Sequence, residues 1–232
     1  CTFCGIEISL QSNTTTAQKT PQQLLEVAQA ALQLDTISHI TLTTGSHPVS
    51  SLDVEHLTSC CRYLKSGIDL PIHVQVIPPR DLTQVERLKQ SGADTIGIHI
   101  ENFDFTILNN VAPCKTRFSL EHYITTWKKA VRIFGINQVS SFVILGLGET
   151  SQSVLDGVAL LCGMGVYPFI VPLRPIPGTP LGLNSPPDPD YMISIYQQAA
   201  ILLQESGLSW KNSRAGCVRC GACSALPDFE QG

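Results

Sequence analysis

The sequence has few charged residues. They make up 15% of the 232 residues, against 43% for hydrophobic ones, which leaves enough apolar surface for a buried core and too little charge for a disordered chain. The sequence also lacks a Lys/Arg-rich run, and its net charge is -4. The electrostatic footprint of a protein that binds nucleic acid or anionic membranes is therefore missing. We expect a globular protein that acts on a small molecule.

Long hydrophobic runs are missing too. No segment reaches the roughly 18 uninterrupted apolar residues that a membrane span needs, and the residues after Cys1 lack the basic and apolar regions of a signal peptide. We therefore expect a cytoplasmic protein without a membrane partner. The length fits one large domain, because repeated strand-and-helix barrels commonly exceed about 200 residues without dividing.

Cysteine, in contrast, is abundant. The nine cysteines include three close groups, and in a reducing compartment such grouping indicates metal binding before disulfides. The groups are Cys1 with Cys4, Cys60 with Cys61, and Cys217 with Cys220 and Cys223. Because natural chains begin with Met, a chain that opens on a cysteine motif is expected to be a fragment.

Five apolar, β-branched runs bounded by turn residues predict strands. Their near-continuous hydrophobicity is typical of parallel strands that are covered on both faces. The runs are 37–44, 71–77, 94–100, 139–145 and 166–173.

Helical patterns with recognisable starts lie between these runs. The predicted starts are Thr20-Pro21, Asp81 in a capping box with Gln84, Ser119, Thr150 or Ser151, and Asp188-Pro189. Alternating strands and helices predict parallel strands joined by right-handed crossovers, in either a barrel or an open doubly wound sheet. After Gly207 the pattern becomes an irregular tail.

The first motif is Cys1-Thr-Phe-Cys4. Two thiolates on one short loop can hold a zinc ion or an iron–sulfur cluster, or form a thioredoxin-like redox pair. The four residues alone do not decide between these sites.

Together with later segments, this motif resembles the radical S-adenosylmethionine (SAM) superfamily, in particular its biotin-synthase-like members. CTFC resembles the end of the signature C-x-x-x-C-x-aromatic-C, with Phe3 in the aromatic position and the first cysteine expected four residues before Cys1. The later segments agree in order and spacing. They are Thr43-Thr44-Gly45, GIHIEN ending near Glu101, KTRFSLEHY from 115 to 123, ILGLGE from 144 to 149 and PLRPIPGTPL from 172 to 181.

The resemblance assigns roles to single residues. It implies that Cys1 and Cys4 bind a 4Fe–4S cluster, that Glu101 binds the SAM ribose and that Arg117 binds the SAM carboxylate. Thr-Thr-Gly replaces the usual Gly-Gly-acid, so backbone carbonyls would hold the amino group. The remaining implied SAM contacts are Thr43, Thr44, Gly45, Gly146, Leu147, Pro172 and Leu173.

The resemblance also implies a fold and an activity. The expected fold is α/β, a partial (β/α)6 TIM-like barrel over residues 1–207 whose first strand precedes Cys1. The expected activity is reductive cleavage of SAM to a 5′-deoxyadenosyl radical that abstracts hydrogen from a small metabolite. An electron donor such as flavodoxin or ferredoxin and sensitivity to oxygen follow from the cluster.

Each residue also has an ordinary structural explanation. Gly146 and Gly148 suit any tight strand-to-helix turn, Glu149 suits a helix start, and Arg117 suits a surface position. His99 differs from the other histidines, because strand alternation places it on the same face as Glu101, which in a barrel is the lumen.

The tail from 208 to 232 contains Cys217-x-x-Cys220-x-x-Cys223. This spacing brings three thiolates within reach of one metal. We expect an auxiliary iron–sulfur cluster there, with structural zinc as the alternative and no evident fourth ligand. The tail also resembles radical SAM proteins encoded with bacterial nitrilases.

Two other functions remain open at this stage. One is an electron-transfer or metal-binding barrel without radical chemistry, and the other is a zinc-stabilised barrel that binds a small molecule. A cysteine four residues before Cys1 would favour the radical enzyme.

Overall fold

Five parallel strands form one sheet in the computed structural model, which describes residues 1–45 and 50–230. The strands are β1 (Ile40–Thr43), β2 (Ile72–Val76), β3 (Thr95–Ile98), β4 (Val139–Leu145) and β5 (Val166–Pro172). Each lies within a predicted run, and the start and end of β4 are as predicted. β1, which lies at one edge of the sheet, is shorter than its predicted 37–44.

Ten α-helices lie in the described part of the chain. They are α1 (Ile6–Gln11), α2 (Pro21–Leu34), α3 (Ser50–Gly67), α4 (Thr83–Gln90), α5 (Phe105–Val111), α6 (Leu120–Phe134), α7 (Ser151–Gly163), α8 (Pro189–Glu205), α9 (Cys217–Cys220) and α10 (Leu226–Phe229), with a 3-10 turn at Trp210–Asn212.

The strands follow one another across the sheet in chain order, from β1 to β5. Because crossovers between parallel strands are right-handed, this order keeps the crossover helices on one face, whereas a doubly wound sheet reverses its order and has helices on both faces. Contacts of α2 with α3, α3 with α4, and α4 with α6 agree with one helical layer. The sheet is therefore an open, partial TIM-like barrel, and the predicted fold class is confirmed.

Side-chain caps start four of the predicted helices. The Thr20 hydroxyl accepts from the Gln23 amide, and the Gln23 side chain accepts from the Thr20 amide in a capping box that begins α2. Ser119, Thr150 and Asp188 likewise cap α6, α7 and α8. These starts were visible in the sequence because the caps are local.

The predicted capping box at Asp81 is wrong. The carboxylate of Asp81 accepts from the amide and the hydroxyl of Thr83, at 2.9 and 2.7 Å, and the Gln84 amide donates instead to the backbone carbonyl of Asp81 at 3.1 Å. The residue before α4 is Leu82, which has no side-chain cap. A two-residue turn competes with a cap for the same oxygens.

The core between the sheet and the helices is centred on α6. Trp127 is fully buried, and its indole nitrogen donates to the carbonyl of Ile98 at 2.9 Å. Tyr123 lies beside it, with ring centroids 5.4 Å apart. This packing fixes the end of β3, after which Glu101 follows.

The other face of the sheet carries alternate strand residues. The register pairs His73 with Thr95, Gln75 with Gly97, and Phe142 with Phe169. The C-terminal tail packs against this face near the strand beginnings. Thr95 donates to the carbonyl of Ala215 at 3.4 Å, and the space for a side chain on Gly216 is filled by the His73 ring, 2.5 Å away.

None of the described helices is long and apolar enough to cross a membrane.

Candidate active site

The predicted site residues follow the carboxyl ends of neighbouring strands. Thr43 ends β1, Glu101 follows β3, Gly146 follows β4 and Pro172 ends β5. All pairs in the sheet are parallel, so these ends lie along one edge. In barrels of this type, the loops at that edge form the active site.

The N-terminal cysteine loop is held by backbone bonds. The Cys4 amide donates to the Cys1 carbonyl at 3.2 Å, the Thr2 amide to the Val111 carbonyl at 2.8 Å, and the Leu181 amide to the Thr2 carbonyl at 3.2 Å. Cys1 and Cys4 are both exposed and reduced. The loop is therefore fixed between the end of α5 and the segment after β5, with its thiols accessible.

A third thiol lies close to this loop. The Sγ atoms of Cys1 and Cys114 are 3.8 Å apart. Cys114 sits in the turn between α5 and α6, and sequence spacing gave no sign of this proximity, because the two residues are separated by 113 positions.

The segment Thr43-Thr44-Gly45 borders an open space. A Cβ on Gly45 would meet no heavy atom of residues 1–45 and 50–230 within 4 Å, and the three residues line a cavity of about 940 Å³ beside α3. A ligand in this cavity would therefore lie next to the backbone of the segment.

Glu101 is buried, and its charge is balanced by Lys115. The Nζ atom of Lys115 lies 2.7 Å from Oε1 of Glu101 and 2.6 Å from the carbonyl oxygen of His99. Glu101 adopts a left-handed conformation, with φ of 69°. Its second oxygen, Oε2, is buried and has no hydrogen-bond partner among the described residues.

Arg117 lies elsewhere in the same turn. It is exposed, and neither a hydrogen bond nor an ion pair is found for it in the described part of the chain. The cation that the structure brings to Glu101 is Lys115, two residues earlier. Sequence analysis missed Lys115, although it opens the same KTRF segment.

The turn after β4 is held by a carboxylate. Glu149 accepts from the amides of Gly146 and Leu147, at 2.7 and 2.9 Å. Gly146 has φ of 97°, a conformation that favours glycine. Tyr191 donates to Glu149 at 3.2 Å, and burial together with the Glu149 charge raises the pKa of Tyr191. Glu149 therefore positions the turn, and both of its carboxylate oxygens already accept hydrogen bonds.

The segment after β5 lines a cavity of about 200 Å³ whose walls are mostly apolar. Leu173 continues the sheet, with its amide 2.7 Å from the Leu145 carbonyl. The lining residues come from the cysteine loop, the sheet face and the tail, and they include Phe3, Phe142, Ile144, Pro172, Arg174 and Cys223.

His99 lies under this cavity. Its ring stacks on Phe142, with centroids 4.2 Å apart, and its Nδ1 accepts from the Phe142 amide at 3.1 Å. Burial, followed by the nearby charge of Lys115, lowers the pKa of His99 well below its usual value. The ring is therefore neutral, and its proton lies on Nε2.

The tail cysteines lie on the sheet face opposite the helices. The Gln75 amide nitrogen is 3.7 Å from Sγ of Cys217, and burial, then the nearby Cys223 and Cys220, raises the pKa of Cys217 to about 11. Cys220 and Cys223 are exposed. Within residues 1–45 and 50–230, no three His, Cys, Asp or Glu side chains are already arranged around a metal position.

A comparison with protein families matches most of the residues found at this edge of the sheet. The model of the Radical SAM superfamily matches residues 1–161, which include both N-terminal cysteines, Glu101, Lys115 and the turn at Gly146.

Two curated relatives are similar in sequence. Bacteriochlorophyllide c C-7(1)-hydroxylase of Chlorobaculum limnaeum is 28% identical over 136 residues, which cover 58% of this chain and 34% of the relative. Biotin synthase of Buchnera aphidicola subsp. Acyrthosiphon pisum (strain APS) is 29% identical over 127 residues, covering 53% of this chain and 35% of the relative. The matched part is about a third of each relative's length.

Two solved structures share the fold. Methylornithine synthase (PylB) superposes with a TM-score of 0.58 at 17% identity, covering 82% of this chain and 61% of that one. A radical SAM methyltransferase from Sphaerobacter thermophilus superposes with a TM-score of 0.62 at 17% identity, covering 82% and 56%.

Proposed function

Because this chain belongs to the radical SAM superfamily, we propose that it cleaves SAM reductively at a 4Fe–4S cluster and abstracts hydrogen from a small metabolite. The observation that carries the proposal is the placement of the cysteine loop and of Glu101, Gly146 and Pro172 along one edge of a parallel sheet. When bound, the cluster and SAM supply a 5′-deoxyadenosyl radical.

The N-terminal loop fits one part of such a cluster. Iron–sulfur clusters are held by thiolates, and the exposed thiols of Cys1 and Cys4 lie on a loop that the backbone bonds at Thr2 keep in place. The third thiolate is the one expected before Cys1. Cys114 lies beside Cys1 and is a neighbour of the cluster in this proposal.

The proposed SAM contacts fit the chemistry of the cofactor. The unpartnered Oε2 of Glu101 needs a donor such as a ribose hydroxyl, and the open backbone at Gly45 suits an amino group. In the proposal, Arg117 reaches the carboxylate, and Thr43 and Thr44 lie with Gly45 at the amino group. The adenine side is formed by residues at the ends of β4 and β5, which are Gly146, Leu147, Pro172 and Leu173.

The apolar cavity is the proposed meeting place of the radical and the substrate. Its walls include Phe3 and Phe142, which exclude water from the space where a reactive species would meet its substrate. The cavity also contains Arg174 and Cys223 at its border. The proposed substrate is a small metabolite that enters from this side.

We also propose a second metal site at Cys217, Cys220 and Cys223, in a tail unit from 208 to 232 that packs on the barrel unit from 1 to 207. An auxiliary iron–sulfur cluster is the first choice and zinc the alternative. Burial, then the nearby Cys223 and Cys220, raises the pKa of Cys217, and a cation between the three thiols would stabilise their thiolate forms. The thiols would have to move together to bind it, since they are not prearranged.

The cluster chemistry requires a reductant. We propose a flavodoxin or ferredoxin as the electron donor, a cytoplasmic location and sensitivity to oxygen, since solvent-accessible clusters at exposed thiols such as Cys4 are oxidised readily.

Electron paramagnetic resonance tests the proposal. The protein that carries the expected cysteine before Cys1 is reconstituted anaerobically with iron and sulfide, reduced, and measured with and without SAM. We expect a 4Fe–4S signal whose g values change when SAM is added. Cys4→Ser should abolish the SAM-responsive signal and leave any signal of the tail cluster, whereas Cys162→Ser, a buried position in α7, should keep both. The absence of any SAM-responsive signal from the parent protein would contradict the proposal.

A further inference from the structure

Lys115 is a cation held inside the protein. Its side chain is 11% exposed and that of Glu101 is 8% exposed. Its Nζ donates to two acceptors, the Glu101 carboxylate at 2.7 Å and the His99 carbonyl at 2.6 Å. A buried ammonium is costly unless it is paired in this way, so the two bonds keep the Lys115 side chain in one position.

The backbone of Glu101 is fixed as well. Its amide donates to the Phe142 carbonyl at 3.0 Å, and its carbonyl accepts from the Ile144 amide at 2.8 Å. These bonds to β4 hold a non-glycine residue at φ of 69°. A left-handed conformation of this kind is uncommon and persists where the surroundings determine it.

With Oε1 occupied by Lys115, only Oε2 of Glu101 is available to a ligand. This atom is buried and has no donor in the described part of the chain, which is an unfavourable state for a carboxylate oxygen. Tyr123 does not supply the donor, because its hydroxyl is directed to the carbonyl of Lys115 at 3.5 Å. The arrangement therefore offers one oriented acceptor.

We propose that Lys115 is a positioning residue that directs Oε2 of Glu101 toward a single ribose hydroxyl of SAM. The inference rests on the proposed function and adds a residue to it. Lys115 does not touch the ligand. It occupies the other carboxylate oxygen and prevents rotation of the carboxylate, so that the enzyme distinguishes nucleosides with the hydroxyl from those without it.

Binding of S-adenosylhomocysteine and its 2′-deoxy and 3′-deoxy analogues tests the inference. Affinities are measured anaerobically by calorimetry on the reconstituted protein. In the parent protein, loss of one of the two hydroxyls should weaken binding about tenfold or more, as expected for a hydrogen bond to a charged group. The discrimination is the ratio of the affinity for S-adenosylhomocysteine to that for the weaker deoxy analogue. In Lys115→Met this ratio should fall to nearly one, while Lys115→Arg, which keeps the charge, should retain most of it.

Lys129→Met is the matched control, because Lys129 makes a partly exposed ion pair with Glu86 between α6 and α4, away from Glu101. Its discrimination should equal that of the parent. Should Lys115→Met not fold, Lys115→Met/Glu101→Gln, which leaves no buried charge, is compared with Glu101→Gln alone, in which Lys115 can still hold the side-chain oxygen. The discrimination should be lower in the double variant than in Glu101→Gln.

Two outcomes would overturn the inference. One is equal affinity of the parent protein for all three ligands, and the other is weakening of all three by the same factor in Lys115→Met, which indicates a structural role alone. Failure of the proposed function is separate, since it shows as the absence of SAM cleavage by the parent protein.

Discussion

Nε2 of His73 and Nε2 of His99 approach the same point on the sheet. They lie 3.0 and 2.7 Å from the position that a Cβ on Gly97 would take. His73 comes from β2 and His99 follows β3, and both rings are buried. The absence of a side chain at Gly97 is therefore what allows two imidazoles to pack between neighbouring strands.

Gly97→Ala should destabilise the protein. Its methyl group would lie 2.4 Å from Cε1 of His99, and overpacking in a core costs about 1–3 kcal/mol. Urea unfolding measures the change. Gly163→Ala is the control, because a Cβ there meets no described atom within 4 Å, and its stability should stay near that of the parent. Equal stability of the two variants would show that the histidines move aside freely.

Stability should fall when the pH drops below about 6.5. Burial lowers the pKa of His73 to about 3 and lowers that of His99. Below pH 6.5 the unfolded chain therefore binds more protons at these histidines than the folded chain does. The contribution of these neutral histidines to the free energy of unfolding is complete above the unfolded pKa of about 6.5. As the pH falls from there toward the folded pKa, it is lost at up to about 1.4 kcal/mol per pH unit for each histidine.

Urea unfolding between pH 6.5 and 5 measures this slope, in a range where carboxylates contribute less. The slope of the parent should exceed that of His73→Gln by about the contribution of one histidine, because His99 and the partly buried His39, whose pKa values are also lowered, contribute to both. An unchanged slope in His73→Gln would mean that His73 is protonated in the folded protein.

Lys115→Met should be strongly destabilising, by about 3–5 kcal/mol, because it leaves Glu101 as an unpaired buried charge. Adding Glu101→Gln should recover most of this loss. Denaturant unfolding of the parent, the single variant and the double variant gives both values. A double variant no more stable than the single one would show that the ion pair is not the source of the loss.

The sequence predicted those parts of the fold and site that depend on local signals. Strand runs, and the caps at Thr20, Ser119 and Thr150, involve residues a few positions apart, so their patterns are visible in one dimension. The contact of Lys115 with Glu101 depends on how the turn after α5 returns to the sheet, which no local pattern describes. Arg117, which the resemblance assigns to the SAM carboxylate, is exposed, and that role stays a prediction.

The position of the tail on the sheet was also beyond sequence analysis. Nothing in Cys217-x-x-Cys220-x-x-Cys223 indicates that the preceding Gly216 packs on His73 or that Cys223 borders the cavity of Phe3 and Phe142. These contacts join segments that are distant in the sequence, and they arise from the shape of the open sheet.

Cys220→Ser should reduce the metal content of the tail. The variant and the parent, both with the cysteine expected before Cys1, are reconstituted anaerobically, and iron, sulfide and zinc are measured. We expect less iron and sulfide, or less zinc, because one of three thiolate ligands is lost. Cys61→Ser, at a buried thiol in α3, serves as the control. Parent-level content of all three elements in Cys220→Ser would exclude a metal site at the tail.

The most direct measurement is the formation of 5′-deoxyadenosine by the anaerobically reconstituted and reduced protein incubated with SAM. Liquid chromatography with mass detection should show 5′-deoxyadenosine in the parent protein and none in Cys4→Ser, since the loop of Cys1 and Cys4 is proposed to hold the cluster. Absence of 5′-deoxyadenosine from a parent protein that has a full complement of cluster iron and binds SAM would contradict the account.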